Sequence, residues 1–373
     1  MIQKLSNPRI FVFIIIWMMF LVLIGTIAQR DVGLYQAQQQ YFFSIFFWLQ
    51  INDIPIIPLP GGLPTMSILF INLTSFFFKP NIFKSKKIGV LTVHSGALIL
   101  LVGGGITAAF SSEGNMMIEE GAKVNYIQNP YEREFSVTID YGETIDSLQV
   151  INFNENLLNE NEQLYYKDLP FSIRIIDYFV NADLIEKNQV SILEKGILAK
   201  NYNLIELPYE KEYEKNKSAL KYQIISNQNE TSGIYISYID ERMPINLKID
   251  SIYYELSLRP KRTYLPFEIE LKDFEKIMHP GTEIAKSFSS EVYLNENDIS
   301  KRFLIEMNAP LRYNGYTFYQ ASYFEYQGKE FSIFAVVKNY GRLFPYISSI
   351  IMCIGVLIQI IIRIPQLFRK NNK

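Results

Sequence analysis

The sequence predicts a membrane protein of four transmembrane helices, three plus one, with a large external, mainly β, sandwich-like domain inserted before the last helix. Three observations predict it. Hydrophobic residues make up 49% of the 373 positions, an ordinary share, yet the long uncharged runs lie only near the two ends of the chain. The roughly 230 residues between them alternate apolar and polar side chains, the period of strands with one buried face. Lysine and arginine cluster beside alternate ends of the apolar runs, as the positive-inside rule requires of a multispanning protein.

Residues 1–29 carry Lys4 and Arg9 ahead of the apolar run 10–29, which is too long and unbroken for a signal-peptide core and lacks a small-residue cleavage site. It predicts the first span. Residues 30–62 form an external loop in which LYQAQQQYFFSIFFWLQ (34–50) joins glutamines to a dense aromatic set. That composition predicts a helix lying at the membrane interface, ended by PLPGGLP at 58–64. The second span is the shorter run within 63–79, and a basic cytoplasmic loop, 80–87, ends in Lys84, Ser85, Lys86 and Lys87. The third span, 88–110, carries no formal charge. At ~1.5 Å of rise per residue it is long enough to cross ~30 Å of hydrocarbon.

His94 lies in that span, seven residues past Lys87, roughly 10 Å along the axis and in the cytoplasmic half. An ionisable group at such depth is costly unless neutral and partnered. A neutral imidazole there serves as an axial ligand for haem iron, as a proton carrier, or as a hydrogen-bonding group between helices. The small residues Gly89, Ser95, Gly96, Gly103, Gly104 and Gly105 would let another helix, or a flat macrocycle, approach closely.

Residues 111–342 read as a β-rich domain, with EFSVTID (134–140), FSIRIID (171–177), KYQIIS (221–226), GIYISYI (233–239), SIYYELSL (251–258), FEIELKD (267–273), RFLIEMN (302–308), YTFYQASYF (316–324) and EFSIFAVVK (330–338) as strands and NGY at 314–316 as a turn. The more polar stretch 181–217 predicts a helix or an exposed insertion. Residues 343–364 form the last span, and 365–373 a basic cytoplasmic tail. Lys and Arg number two before the first span, four from Lys79 to Lys87 and four after Ile362, against Arg30 alone in the first external loop. Both termini therefore face the cytoplasm and the β domain faces outward.

A net charge of -2 without a long basic tract argues against nucleic acid as a partner. Cys353 is the sole cysteine, which rules out an internal disulfide, a CxxC pair and a cysteine zinc site, and two histidines, His94 and His279, cannot make a His-rich metal site. A haem b subunit of an electron-transfer enzyme would need two intramembrane histidines in one chain, and the spans hold one. A cofactor-free membrane anchor that presents a β domain to an assembly or export complex is the alternative.

Gly25, Thr26 and Gln29 at the end of the first span, His94-Ser95-Gly96, EGNMMIEEG (113–121), PGT (280–282), SEV (290–292) and NAPLRYNGYTFYQASY (308–323), running to Asn339 and Gly341, resemble the ResB/CcsB proteins of System II cytochrome c biogenesis. The resemblance covers essentially the whole chain. It implies a subunit of the cytochrome c synthase complex in the cell inner membrane, its large domain in the periplasm, which handles haem b with a CcsA-type tryptophan-rich partner and delivers it to the CxxCH motifs of apocytochrome c. It also implies that His94, at the matching position, is an axial ligand to the haem iron shared with that partner. Trp17 and Trp48 are its only tryptophans, so the partner's tryptophan-rich motif is absent; the resemblance then implies a non-autonomous part of a haem lyase, and thioether formation calls for a separate thiol reductant. Lys86 and Lys87 could meet haem propionates, although topology alone accounts for them. His279, in MHPGTE, reads as a surface turn residue.

Overall fold

The computed structural model describes residues 2–51, 54–80, 82–142, 148–239, 244–282 and 285–371. Lys373, counted above in the basic tail, lies outside the described residues. The chain divides into two compact units, Met1–Ser112 with Arg312–Thr317 and Val337–Lys373, and Glu113–Leu311 with Phe318–Val336.

In the first unit a single turn, α1 (Ile2–Leu5), precedes α2 (Pro8–Val32). The Asn7 side chain accepts from the Arg9 N–H at 3.0 Å and Pro8 stands in the first turn, a capped start in which the missing proline N–H costs nothing. Gly33 ends the helix at φ 82°, its N–H on the Gln29 carbonyl. Three helical stretches are long and apolar enough to cross a membrane: α2, Ser85–Phe110, and the start of the C-terminal helix, Phe344–Ile364.

The expected second span is built differently. Its continuous helix, α4 (Gly62–Phe76), has 15 residues, a rise of ~22 Å that falls short of ~30 Å of hydrocarbon. The segment predicted as an interfacial helix, which leads into it, also takes another form. That segment is α3 (Leu34–Ala37), then a π-helical turn (Gln38–Phe42), then strand β1 (Phe46–Ile51), which pairs antiparallel with β2 (Ile54–Pro60). A helix through 34–50 is thus a correction: the prolines at 55, 58 and 60 bar a helix in the following run, and the aromatic, β-branched residues on either side suit a hairpin instead. At the hairpin's root the Gly61 N–H donates to the Ile45 carbonyl at 2.9 Å, and Gly62 abuts the Phe42 backbone so closely that no Cβ would fit. Around the expected second span the chain therefore forms two helical pieces, Leu34–Phe42 and α4, separated by a β-hairpin.

Both pieces run antiparallel to α2. A Cβ on Gly25 would fall 2.8 Å from the Phe42 ring, Trp17 Nε1–H donates to the Pro60 carbonyl at 3.1 Å, and Asn72 Nδ2 donates to the Leu5 and Asn7 carbonyls at 2.5 and 3.2 Å. Lys79 closes the series, its ammonium 2.7 Å from the Ser6 carbonyl.

After a 3₁₀ turn (Ser85–Lys87), α5 (Ile88–Phe110) packs antiparallel on the C-terminal helix (Phe344–Asn371). Gly89, Gly96 and Gly103 recur every seven residues and so share one face. Cβ atoms there would meet the Gln359 backbone at 2.6 Å, Met352 Cγ at 2.5 Å and the Phe344 side chain in turn. From the other side Gly355 lies against Val93 and the Gly89 carbonyl. Small residues at such a seam let two helix backbones approach closely enough for dispersion between them to hold the contact.

The second unit is all but entirely β. A ten-stranded sheet runs β15 (Ile299–Glu306), β14 (Ala285–Glu296), β13 (Ile252–Met278), β4 (Lys123–Asp140), β3 (Ser112–Glu119), β18 (Lys329–Lys338), β17 (Tyr316–Tyr326) and β16 (Leu311–Tyr313), with β12 (Ile245–Ile249) on β13 and β5 (Gln149–Asn154) on β4. A second sheet orders β11 (Gly233–Tyr238), β10 (Ala219–Ser226), β7 (Phe171–Phe179) and β6 (Gln163–Leu164). Alternate side chains of β4 and β13, among them Phe135, Val137, Ile139, Leu256 and Leu258, pack on Ile173, Ile175, Tyr222 and Ile224 of the second sheet. This is the sandwich core that the alternation predicts. The predicted strands at 251–258 and 267–273 are one strand, β13, with register shifts against β4 at Pro260/Arg262 and Tyr264/Ile269. Residues 181–217 form neither a long helix nor a loose insertion but a small sheet, β8 (Ala182–Glu186) with β9 (Tyr202–Glu206), and a turn of helix at Ile197–Asn201.

Opposite one another on β4 and β13, Glu134 and Arg259 form an ion pair at 2.9 Å with side chains 2% and 11% exposed. Arg259 also donates to Asn152 Oδ1 at 3.3 Å. Removing one partner strands the other charge, so Glu134→Ala should destabilise the domain by about 3–5 kcal/mol, read as a lowered thermal midpoint of the full chain in detergent. An unchanged midpoint would show the pair to be relaxed into water. Nearby, burial first and the Glu155 carboxylate second push the Tyr178 phenol well above its ordinary range, so Tyr178 stays a donor to Glu155 Oε1 at 2.8 Å.

Candidate functional site around His94

His94 sits on α5 two residues before Gly96, hence about 200° around the helix from the glycine face. It therefore points away from the C-terminal helix. Its Nδ1–H donates to the Val90 carbonyl one turn back, at 2.8 Å. A carbonyl can only accept, so Nδ1 carries a proton, and in the neutral form of the ring the lone pair is then on Nε2. The ring is half-buried and lies flat against Phe76, the last residue of α4, with centroids 3.9 Å apart and planes 15° apart. Stacking covers the imidazole face and leaves its edge, where Nε2 lies. Two residues thus fix the ring, one by hydrogen bond and one by contact. Lys79 also reaches over Phe76, its ammonium 5.5 Å from the ring centroid.

Phe76 and Val90 are the site residues that sequence reasoning missed. Phe76 belongs to the run FFFK at 76–79, and nothing in that run says which of three phenylalanines meets a ring on another helix. The spacing of Val90 and His94 was legible, since residues four apart share a helix face, but it does not tell which nitrogen is engaged.

The glycines divide. Gly89, Gly96 and Gly103, expected as room for a helix or a macrocycle beside His94, are taken up by the C-terminal helix. Gly104 and Gly105 have nothing within 4 Å of where a Cβ would stand. They floor an apolar cleft of about 600 Å³ walled by Phe42, Phe43, Leu63, Met66 and Phe70 together with Leu101, Val102 and Phe110. Leu101 and Gly105 are seven and eleven residues past His94, so the cleft begins on the same face of α5 about 10 Å farther along. It opens where the hairpin separates the two helical pieces.

Lys86 and Lys87 are exposed in the 3₁₀ turn before α5. That puts them roughly 10 Å or a little more along the axis from His94. His279 is exposed in the β13–β14 turn, where its carbonyl accepts from the Thr282 N–H at 3.1 Å and Gly281 takes φ 75°. It is a turn residue in the second unit. Cys353 is exposed on the C-terminal helix. Among the described residues no group of three His, Cys, Asp or Glu side chains is placed to hold a metal ion.

Other residues of the resemblance act in packing. Ser290 donates to Gln320 Oε1 at 2.8 Å, Gln320 Nε2–H donates to Ser332 Oγ at 2.8 Å, and Ser290 and Ser332 lie 2.9 Å apart, all three buried. SEV and YQASY, far apart in the chain, meet in one satisfied polar network. Asn339 Oδ1 accepts from the Thr107 hydroxyl at 3.0 Å and from the Gly341 N–H at 2.7 Å, which pins the start of the C-terminal helix to the end of α5.

The family model described as the ResB-like family matches residues 246–327, the stretch from β12 into β17 that contains SEV and the Asn314-Gly315 turn. Protein NrfI of Wolinella succinogenes is 23% identical over 303 residues, covering 78% of this chain and 29% of its own length. The chain thus spans less than a third of the curated relative it matches. Together these two matches support assignment of the chain to the ResB-like family, within the ResB/CcsB proteins.

Proposed function

We propose that this protein is a membrane subunit of a cytochrome c biogenesis complex, one that takes haem b as its cargo and passes it outward for attachment to CxxCH motifs of apocytochrome c. The observation that carries the reading is the His94 ring: an imidazole on an apolar, membrane-length helix whose Nδ1 proton is committed to Val90, leaving the Nε2 lone pair free of that bond. That is the state in which histidine ligates iron. Haem is a flat apolar ring with two carboxylates, and the apolar cleft on the same face of α5 suits its ring.

The cationic candidates for the propionates are Lys79, Lys86 and Lys87. One intramembrane histidine supplies one axial position, so the second comes from a partner, which the resemblance identifies as a CcsA-type tryptophan-rich protein. Cys353, alone, offers no dithiol chemistry, so a separate reductant keeps the substrate thiols reduced. The lysine and arginine bias supports an inner-membrane chain with 80–87 and both termini inside and the β domain in the periplasm. Reporter fusions at Lys84 and Gln228 test that orientation, and an external Lys84 would overturn it.

The test of function is the haem content of the complex purified from membranes with its partner. A Soret band that titrates with the amount of this chain is expected. A complex that assembles without any Soret absorbance would leave only the cofactor-free anchor.

A further inference from the structure

The hairpin between the two helical pieces has no role in the haem reading, and its chemistry is unusual for a protein surface. Ile45, Phe46, Trp48, Leu49, Ile56 and Ile57 are all exposed. Asp53 is the single formal charge in the sequence between Val32 and Phe78. A two-stranded hairpin is marginal in water even with a good turn, and one that shows water this much apolar surface should not hold. Phe47 of β1 turns inward instead, buried against Tyr41 with ring centroids 4.8 Å apart.

We infer that the two strands of the hairpin are embedded in the lipid bilayer, their exposed side chains in contact with acyl chains. The root fixes the surroundings. Pro60 is held by Trp17, which lies well inside α2, a helix long enough to cross a membrane. Counted along the axis, Trp17 is about 14 Å from Pro8 and about 22 Å from Val32. The hairpin therefore leaves the helix pair within the thickness of the bilayer. At ~3.3 Å per residue, a strand the length of β1 spans roughly 20 Å, enough to run from that depth to the headgroup layer.

The backbone is also prepared for lipid on one side. Because Gly61 N–H donates to the Ile45 carbonyl, the pairs Phe46/Pro60 and Trp48/Pro58 are the non-hydrogen-bonded ones, whose backbone groups point out of the hairpin. On β2 those two positions are prolines, which have no N–H to leave unsatisfied in hydrocarbon. The same prolines bar a further strand from β2, which argues against a second copy adding to that edge.

The chain has two tryptophans, so Trp17→Phe leaves Trp48 as the only indole. In nanodiscs of phosphatidylcholine, its fluorescence should fall several-fold when the lipid is replaced by phosphatidylcholine brominated on the acyl chains, and should hardly change with aqueous iodide. Strong iodide quenching with no bromolipid effect would put the hairpin in water and overturn the inference. Quenching by neither would mean that protein covers it, a second copy included, and would overturn it equally. Since Trp17→Phe removes the bond to Pro60, Trp48→Phe is measured beside it: the Trp48 signal is then the difference from the unsubstituted chain, where the root is intact. No haem is needed for either measurement.

Discussion

His94→Gly should strip most of the haem from the complex while leaving the complex itself assembled. If Nε2 is an axial ligand, the loss is of the ligand outright, and the outer partners of metal ligands alone are commonly worth about 10–100-fold in affinity; a fall of at least about tenfold in haem per complex is expected. Cytochrome c maturation should fall with it. Assembly should survive because His94 lies off the glycine seam and points away from the C-terminal helix. Free imidazole should then restore part of the haem and part of the maturation, since it can occupy the cavity and ligate iron but cannot recreate an intrahelical bond to Val90. Phe76→Ala should act in the same direction and more weakly, by freeing the ring without removing it. Haem content and maturation both unchanged in His94→Gly would sink the ligand role.

Gly89→Leu should have the largest effect on the membrane unit. The new Cβ would stand 2.6 Å from the Gln359 nitrogen and 2.7 Å from its Cα, and a backbone cannot rotate aside as a side chain does. Overpacking of this kind costs typically about 1–3 kcal/mol where side chains must shift, and here two helices must separate. The thermal midpoint in detergent should drop by several degrees and protein yield should fall. Gly104→Ala is the matched control: the site is open, and alanine is better than glycine in a helix interior by about 1 kcal/mol, so its midpoint should hold or rise. Equal midpoints for the two variants would mean that the seam is not closed in the membrane.

Much of the architecture was legible in the residues. The long apolar runs, the alternation of EFSVTID and FSIRIID, and the Asn314-Gly315 turn, at φ 47° and 81°, all stand where local pattern places them. Each depends on residues within a few positions of one another, where the helix or strand period alone decides which face is buried. The segment 34–50 failed as a helix because its outcome hung on prolines beyond it and on a partner strand. The two predicted strands joined in β13 failed for a related reason. A bulge interrupts alternation without ending the strand, so period alone reads one strand as two.

By itself the sequence determined that the protein has apolar runs at both ends and a β domain between, that one histidine lies in an apolar run, and that no cysteine pair or second histidine in those runs accompanies it. These are properties of composition and near-neighbour order, and no fold can alter them. Only the tertiary structure decided that a hairpin separates the helical turns at Leu34–Phe42 from α4, that Gly89, Gly96 and Gly103 serve the C-terminal helix rather than His94, that Phe76 stacks on the imidazole, and that Ser290 meets Gln320. Each of those is a contact between residues far apart in the chain, set by which helix faces and sheets come together, and one-dimensional periodicity carries no record of the partner.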